Sequence, residues 1–288
     1  MLKHNEHEKS YSPTKKDHYH RTHSDFASVA WGKYHTLFLI SGAVFSVGAG
    51  DKGVLGVDFM GFFKEGVPMC ITTLRKEKIE GVSWSTHHWL AWSLSGKLYS
   101  WGKVSEGWLG YLTNDNTDIQ TEPKIIESLS EYDIWYSWWG IRRSMCLTTW
   151  GRVFSWGKGD RDMKISQNDY YVPMNLFENK HFKSFDLSFV QIAWGHTHWA
   201  ALTSRGKLYM WGDLSSGCQG RPTLESSTRK YSYLPQSVDY FPSNGLKIYK
   251  VAWGSLITVV ATIPSNEFYL AYRHLKPTSN DHISEALK

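Results

Sequence analysis

The chain has 288 residues, a formal net charge of +5, and 41% apolar and 15% aromatic residues. This is enough apolar material for a sizeable core, but no apolar run approaches the roughly 18–20 residues of a membrane-spanning helix. The modest charge, without a concentrated basic patch, is no nucleic-acid signal.

Residues 1–25 are polar and aperiodic and read as a flexible tail. The tail lacks the apolar stretch of a secretory signal, and Glu6, Glu8, Asp17 and Asp25 argue against a mitochondrial presequence. It holds His4, His7, His18, His20 and His23, whose spacing fits no zinc-finger pattern. A solvated tail is therefore the expectation, with transition-metal binding as the alternative, and no metal or cofactor is expected elsewhere. Cys70, Cys146 and Cys218 are odd in number and widely spaced, which fits buried thiols in a reducing compartment, cytoplasmic or nuclear, better than a disulfide framework.

From Phe26 onward one unit recurs. Its clearest copy runs Val190-Gln-Ile-Ala-Trp-Gly-His-Thr-His-Trp through Arg205-Gly-Lys-Leu-Tyr-Met-Trp-Gly212. Trp31, Trp84, Trp139, Trp194 and Trp253 lead the five copies at intervals of 53, 55, 55 and 59 residues, and Gly42, Gly96, Gly151 and Gly206 follow at 54, 55 and 55. Such a register identifies a repeat protein. Each unit predicts a first strand (27–30, 81–84, 135–139, 190–194, 249–253), a short turn, and a second strand (37–40, 90–93, 145–148, 200–202, 258–261). A glycine hairpin then leads to a third strand ending in Trp-Gly at Trp101, Trp156 and Trp211. Pro68, Pro123, Pro173 and Pro235 each open a short apolar stretch that suits an outer, fourth strand. The expected fold class is all-β, a β-propeller of about five four-stranded antiparallel blades over residues 26–275. Residues 276–288 form a C-terminal tail that could close the ring, and the chain carries no prenylation cysteine at Ser284–Lys288.

The Ala-Trp-Gly-x-x-His-Thr and Gly-Lys-Leu-Tyr-x-Trp-Gly segments resemble repeats of the regulator of chromosome condensation family. Gly53-Val-Leu-Gly56, Gly107-Trp-Leu-Gly110 and Gly217-Cys-Gln-Gly220 look like that family's Gly-Gln-Leu-Gly turn. The resemblance covers roughly residues 26–272. It implies a propeller of a family whose usually seven-bladed members include exchange factors for the GTPase Ran, a plant UV-B receptor, ubiquitin-ligase accessory domains and bacterial effectors acting in the host cytosol. Here there are five copies, and Trp replaces the usual small residue before the glycine. Five bulky indoles filling the inner strands and blade contacts of a narrower ring would account for this. The receptor's Trp-Arg pair before His-Thr is absent from every copy, so light sensing is disfavoured.

The turn pairs between first and second strands vary while their flanks repeat, and in a propeller they crowd onto one face. Lys33, Tyr34, His87, Ile141, Arg142, Arg143 and His196 are thus candidates for a partner surface, an ordinary polar rim being the alternative. Asp160-Arg161-Asp162 joins them, because it replaces the Gly-x-Leu-Gly turn in the third copy with charge. His35, His88 and His198 read as structural hydrogen-bonding residues. Gly48-Ala-Gly-Asp-Lys-Gly53 matches a dinucleotide pattern but lies in a repeat turn with no helix to meet a pyrophosphate. No motif for covalent catalysis is present. The resemblance implies a protein-binding propeller acting on a Ran-like small GTPase, as nucleotide exchange factor or effector. A non-catalytic scaffold is the alternative, and chromatin binding a third reading.

Overall fold

The computed structural model describes residues 26–32, 35–50, 53–58, 66–85, 87–113, 118–139, 143–157, 171–177, 187–194, 198–213, 231–253 and 258–268. They form five antiparallel sheets in chain order. The first blade is β1 (Phe26–Trp31), β2 (His35–Ile40), β3 (Ala43–Gly48) and β4 (Met69–Cys70). The second is β5 (Ile79–Trp84), β6 (His88–Ser93), β7 (Leu98–Lys103) and β8 (Ile119–Ile125). The third is β9 (Ile134–Trp139), β10 (Ser144–Thr148), β11 (Val153–Trp156) and β12 (Met174–Asn175). The fourth is β13 (Phe189–Trp194), β14 (His198–Thr203), β15 (Leu208–Asp213) and β16 (Tyr231–Ser237). The fifth holds β17 (Leu246–Trp253) and β18 (Thr258–Pro264). Each four-stranded sheet runs in sequence order, and successive first strands (β1 with β5, β5 with β9, β9 with β13, β13 with β17) pack on one another. This is a β-propeller with those strands innermost. The third strand expected in the fifth blade lies, apart from Phe268, outside the described residues, as does the proposed closure by 276–288.

Several strand boundaries differ from the sequence expectation, the first strands of the second and fifth blades beginning earlier, at Ile79 and Leu246, and two other differences have a clear local cause. The second strands begin at His35, His88 and His198, each two residues early, because each histidine pairs with the glycine at or next to the end of the third strand: His35 with Gly48, His88 with Gly102, His198 with Gly212. Pro123 and Pro235 lie inside β8 and β16 instead of opening them. Both strands are outermost and paired on one side, with register shifts at Ser100/Gly102 and Met210/Gly212, the setting in which a missing N–H is tolerated.

The apolar cores lie between blades. Leu37, Leu39, Val44 and Ile71 of the first blade close on Trp89 and Trp101 of the second. Leu90, Leu98 and Ile126 close on Cys146, Phe154 and Trp156. Met145, Leu147 and Val153 meet Ile192, Tyr209 and Trp211, and Ala200, Leu202 and Met210 meet Ile248 and Val251. Each blade therefore needs its neighbour to bury its faces, as expected when a repeat cannot complete a core alone.

The hairpin glycines tie these seams by backbone hydrogen bonds. The carbonyls of Gly42, Gly96, Gly151 and Gly206 accept from the N–H of Ile79, Ile134, Phe189 and Ile248, the early residues of the next inner strand, at 3.0, 2.9, 3.0 and 3.1 Å. Within a blade, Leu94, Thr149 and Ser204 donate back to the carbonyls of Lys78, Asp133 and Ser188. The result is a girdle of backbone bonds running from the first blade to the fifth along one face. The glycines are obligatory there: at Gly151 φ is +76°, and a Cβ would meet the Phe189 nitrogen at 2.6 Å. In the second to fourth blades Ser93, Thr148 and Thr203 brace the hairpin by accepting from the N–H of Lys97, Arg152 and Lys207.

Candidate partner-binding face

Inner strands run from the girdle face to the opposite face, where the variable turns lie. Those turns are closed by backbone bonds, Gly32 N–H to the His35 carbonyl at 2.7 Å and Ser85 N–H to the His88 carbonyl at 2.9 Å. Trp31, Trp84, Trp139, Trp194 and Trp253 occupy one register position, the last residue of each inner strand. Trp31 is 65% exposed. This differs from the expectation of an indole filling a blade contact. Trp31 is the last rung of its ladder, opposite Thr36, and alternation turns it away from buried Ala30.

Trp101, Trp156 and Trp211, at or near the ends of the third strands, are fully buried. Trp101 donates its indole Nε1–H to the Val54 carbonyl at 3.1 Å, and Trp156 donates to the Trp108 carbonyl at 2.8 Å. Val54 and Trp108 are the variable residues of Gly53-Val-Leu-Gly56 and Gly107-Trp-Leu-Gly110, so each of these two turns offers a carbonyl to the next blade's tryptophan. The last glycine of each turn lies under that indole, Gly56 at φ +72° and Gly110 at φ +81°. Sequence reading noted both motifs but not this partnership. A Gly-x-Leu-Gly in one copy and a Ser-Trp-Gly in the next stand in the sequence, but neither identifies the acceptor, which is a main-chain carbonyl.

The histidines that recur between copies extend the clasp. Ser144 Oγ donates to the Trp108 carbonyl at 3.0 Å, so the His88 Nε2–H donates to Ser144 Oγ at 2.8 Å. His198 Nε2 meets Thr258 Oγ1 of the fifth blade at 2.8 Å, and His35 stands edge-on to Trp89 with centroids 5.2 Å apart. Burial, reinforced by neighbouring His87, pushes the His88 imidazole pKa down to about 3, so it is neutral at ordinary pH. Burial also pushes the Cys146 thiol up, away from the reactive thiolate.

Of the candidate partner residues, His87 is half-buried and stacked on Trp108 at 5.4 Å and 26°. Arg143 is only 8% exposed, at the foot of β10 beside Ser144, so little of it reaches solvent. Lys33, Tyr34, Ile141, Arg142, Asp160, Arg161, Asp162 and His196 lie outside the described residues. Among the described residues no cluster of His, Cys, Asp and Glu could hold a metal ion, and no helix is long and apolar enough to cross a membrane. The arrangement is a rigid, latched scaffold presenting short turns, suited to binding a macromolecule.

No family model matches the chain. It is 34% identical over 209 residues to the human probable E3 ubiquitin-protein ligase HERC6, a match covering 68% of this chain and 19% of that protein. Among solved structures it is similar to human WBSCR16, with a TM-score of 0.64 and 24% identity over 85% of this chain and 59% of that one. It is also similar to Prp20p from Saccharomyces cerevisiae, with a TM-score of 0.66 and 22% identity over 88% of this chain and 60% of that one. The chain thus spans about a fifth of the ligase and three fifths of the two propellers.

Proposed function

Because this chain is a β-propeller of regulator of chromosome condensation repeats, we propose that it binds a Ran-type small GTPase through the face carrying the first-to-second-strand turns and promotes release of its nucleotide. The observation that carries this reading is the clasped seam beneath those turns: the Trp–carbonyl and His–Ser bonds fix the platform, while the turn residues above it vary between copies. The neighbour Prp20p has been characterised for its binding to Gsp1p and histones, which supports a protein partner of this kind. Exchange would need no covalent chemistry. A surface that holds the nucleotide-free GTPase more tightly than the loaded form weakens nucleotide affinity by the same factor. The reading implies a cytoplasmic or nuclear site of action.

A second reading is favoured by the ligase relative, of which this chain spans only 19%. Here the propeller is a docking scaffold without exchange activity. Release of fluorescent GDP from a purified Ran-type GTPase separates the two. Acceleration that rises with propeller concentration supports exchange, binding without acceleration supports the scaffold, and the absence of both refutes the GTPase reading.

A further inference from the structure

Every seam joins the forward face of one blade to the rear face of the next. On the rear face of the second blade, Trp89, Ala91 and Trp101 are fully buried against the first. By register, Thr36, Phe38 and Val47 hold the same positions on the first blade. No blade precedes it among the described residues, and this rear face is open. Trp31 is 65% exposed and Ile40 37%, while Val29, Phe38, Phe45 and Val47 are half-buried. Strand β2 accordingly alternates, with Leu37 and Leu39 buried and Thr36, Phe38 and Ile40 not, whereas β6 and β10 are buried throughout. Among the described residues no strand of the fifth blade packs on β1 to β4 to the extent that β5 packs on β1.

A terminal repeat that faces water ordinarily presents a polar outer surface. One residue in five of the chain is charged, yet β1 to β4 contain no Lys, Arg, Asp or Glu. The free face at the other end differs. There Lys250 is exposed, on the same side of the sheet as Ala252 and Val259. We propose that the rear face of the first blade is a dimer interface, and that its occupant is the same face of a second copy of this chain. A surface without charge meets itself without repulsion, and a two-fold pairing needs only one self-complementary patch. Homodimer interfaces are also richer in apolar surface than other contacts. Pairing with the fifth blade, head to tail, would instead bury the Lys250 ammonium against this apolar face, which has no carboxylate to meet it. Strands about 4.8 Å apart and about six residues long give a four-stranded face of roughly 20 by 20 Å, about 400 Å² from each copy. An interface of that size is weak and reversible.

Sedimentation equilibrium of the full chain across the micromolar range tests this. The average mass should rise from monomer to dimer and no further. Trp31→Glu and Phe38→Lys should each raise the dissociation constant at least about tenfold. Trp31 is exposed, so Trp31→Glu should keep the parent's thermal midpoint even where the half-buried Phe38→Lys does not. Val259→Glu, at the other free face, should dimerise like the parent. A parent that stays monomeric throughout would overturn the proposal, as would a dimer that persists in both Trp31→Glu and Phe38→Lys. Growth beyond the dimer would overturn it too. So would a dimer lost in Val259→Glu and restored on mixing that variant with Trp31→Glu, the mark of head-to-tail pairing. Sedimentation reads mass without any GTPase present, so its failure and that of the nucleotide-release assay are separate results.

Discussion

Trp156 donates its indole N–H to the backbone carbonyl of Trp108 at 2.8 Å, across the seam between the second and third blades. The same bond joins Trp101 to Val54 one seam earlier. These are bonds between a side chain of one repeat and the main chain of another, so they couple neighbouring blades directly. Trp156→Phe keeps most of the buried ring and removes the donor. With Ser144 still donating to the same carbonyl, the loss should be about 1–2 kcal/mol in a urea melt, against about 3–5 kcal/mol for Trp156→Ala. A Trp156→Phe variant as stable as the parent would assign the whole effect to packing.

The girdle predicts a contrast between two glycines with similar backbone angles. Gly151, at φ +76°, has no room for a Cβ beside Phe189, whereas Gly66, at φ +61°, has nothing within 4 Å. Gly66→Ala should cost about 1–2 kcal/mol, the left-handed penalty alone. Gly151→Ala should cost clearly more, because the Cβ must also push β13 away from the hairpin. Matching denaturation midpoints for the two variants would refute the close approach.

His88 predicts a pH dependence with a definite sign. Its folded pKa of about 3 lies below the ordinary value of 6.5, so the unfolded chain binds a proton that the folded chain refuses. The contribution is complete above pH 6.5 and is lost as pH falls toward about 3, by up to about 1.4 kcal/mol per pH unit. His88→Gln retains a donor toward Ser144 without titrating. Its stability measured by urea between pH 7 and pH 5 should fall less steeply than the parent's, and parallel curves would remove His88 from the account.

The fifth blade is joined to the fourth by a side chain acting as a strand. The Gln191 side-chain amide donates to the Val251 carbonyl at 2.7 Å, and its carbonyl accepts from the Val251 N–H at 3.0 Å. Gln191→Leu leaves both backbone groups without that partner and should cost about 2–4 kcal/mol. The Val251 amide should exchange hydrogen faster than the Phe189 amide, which bonds to Gly151 and is unaffected. Unchanged Val251 protection would contradict the bridge.

The features legible in the sequence were those that the chain repeats for local reasons. Gly42, Gly96, Gly151 and Gly206 declared the hairpins because a positive φ and a crowded approach admit little else. The proline-led outer strands were legible as edges but not in extent, since the residues before Pro123 and Pro235 join β8 and β16 through a bulge. The clasp was hidden because its acceptors are main-chain carbonyls 47 and 48 residues from the donors, atoms to which side-chain identity gives no clue. Gln191 was hidden because it is unique to one copy. The charge of Arg143 suggested an exposed turn residue, yet it stands immediately before β10 and shares that strand's burial.

The central claim is that the turn face, and not the girdle face, receives the GTPase. Amide hydrogen exchange of the propeller with and without a nucleotide-free Ran-type GTPase tests it most directly. The account predicts added protection in the turns between first and second strands, at His87 and its counterparts, with exchange at the Leu94 and Trp150 hairpins unchanged. Protection confined to those hairpins, or no change on either face, would contradict it.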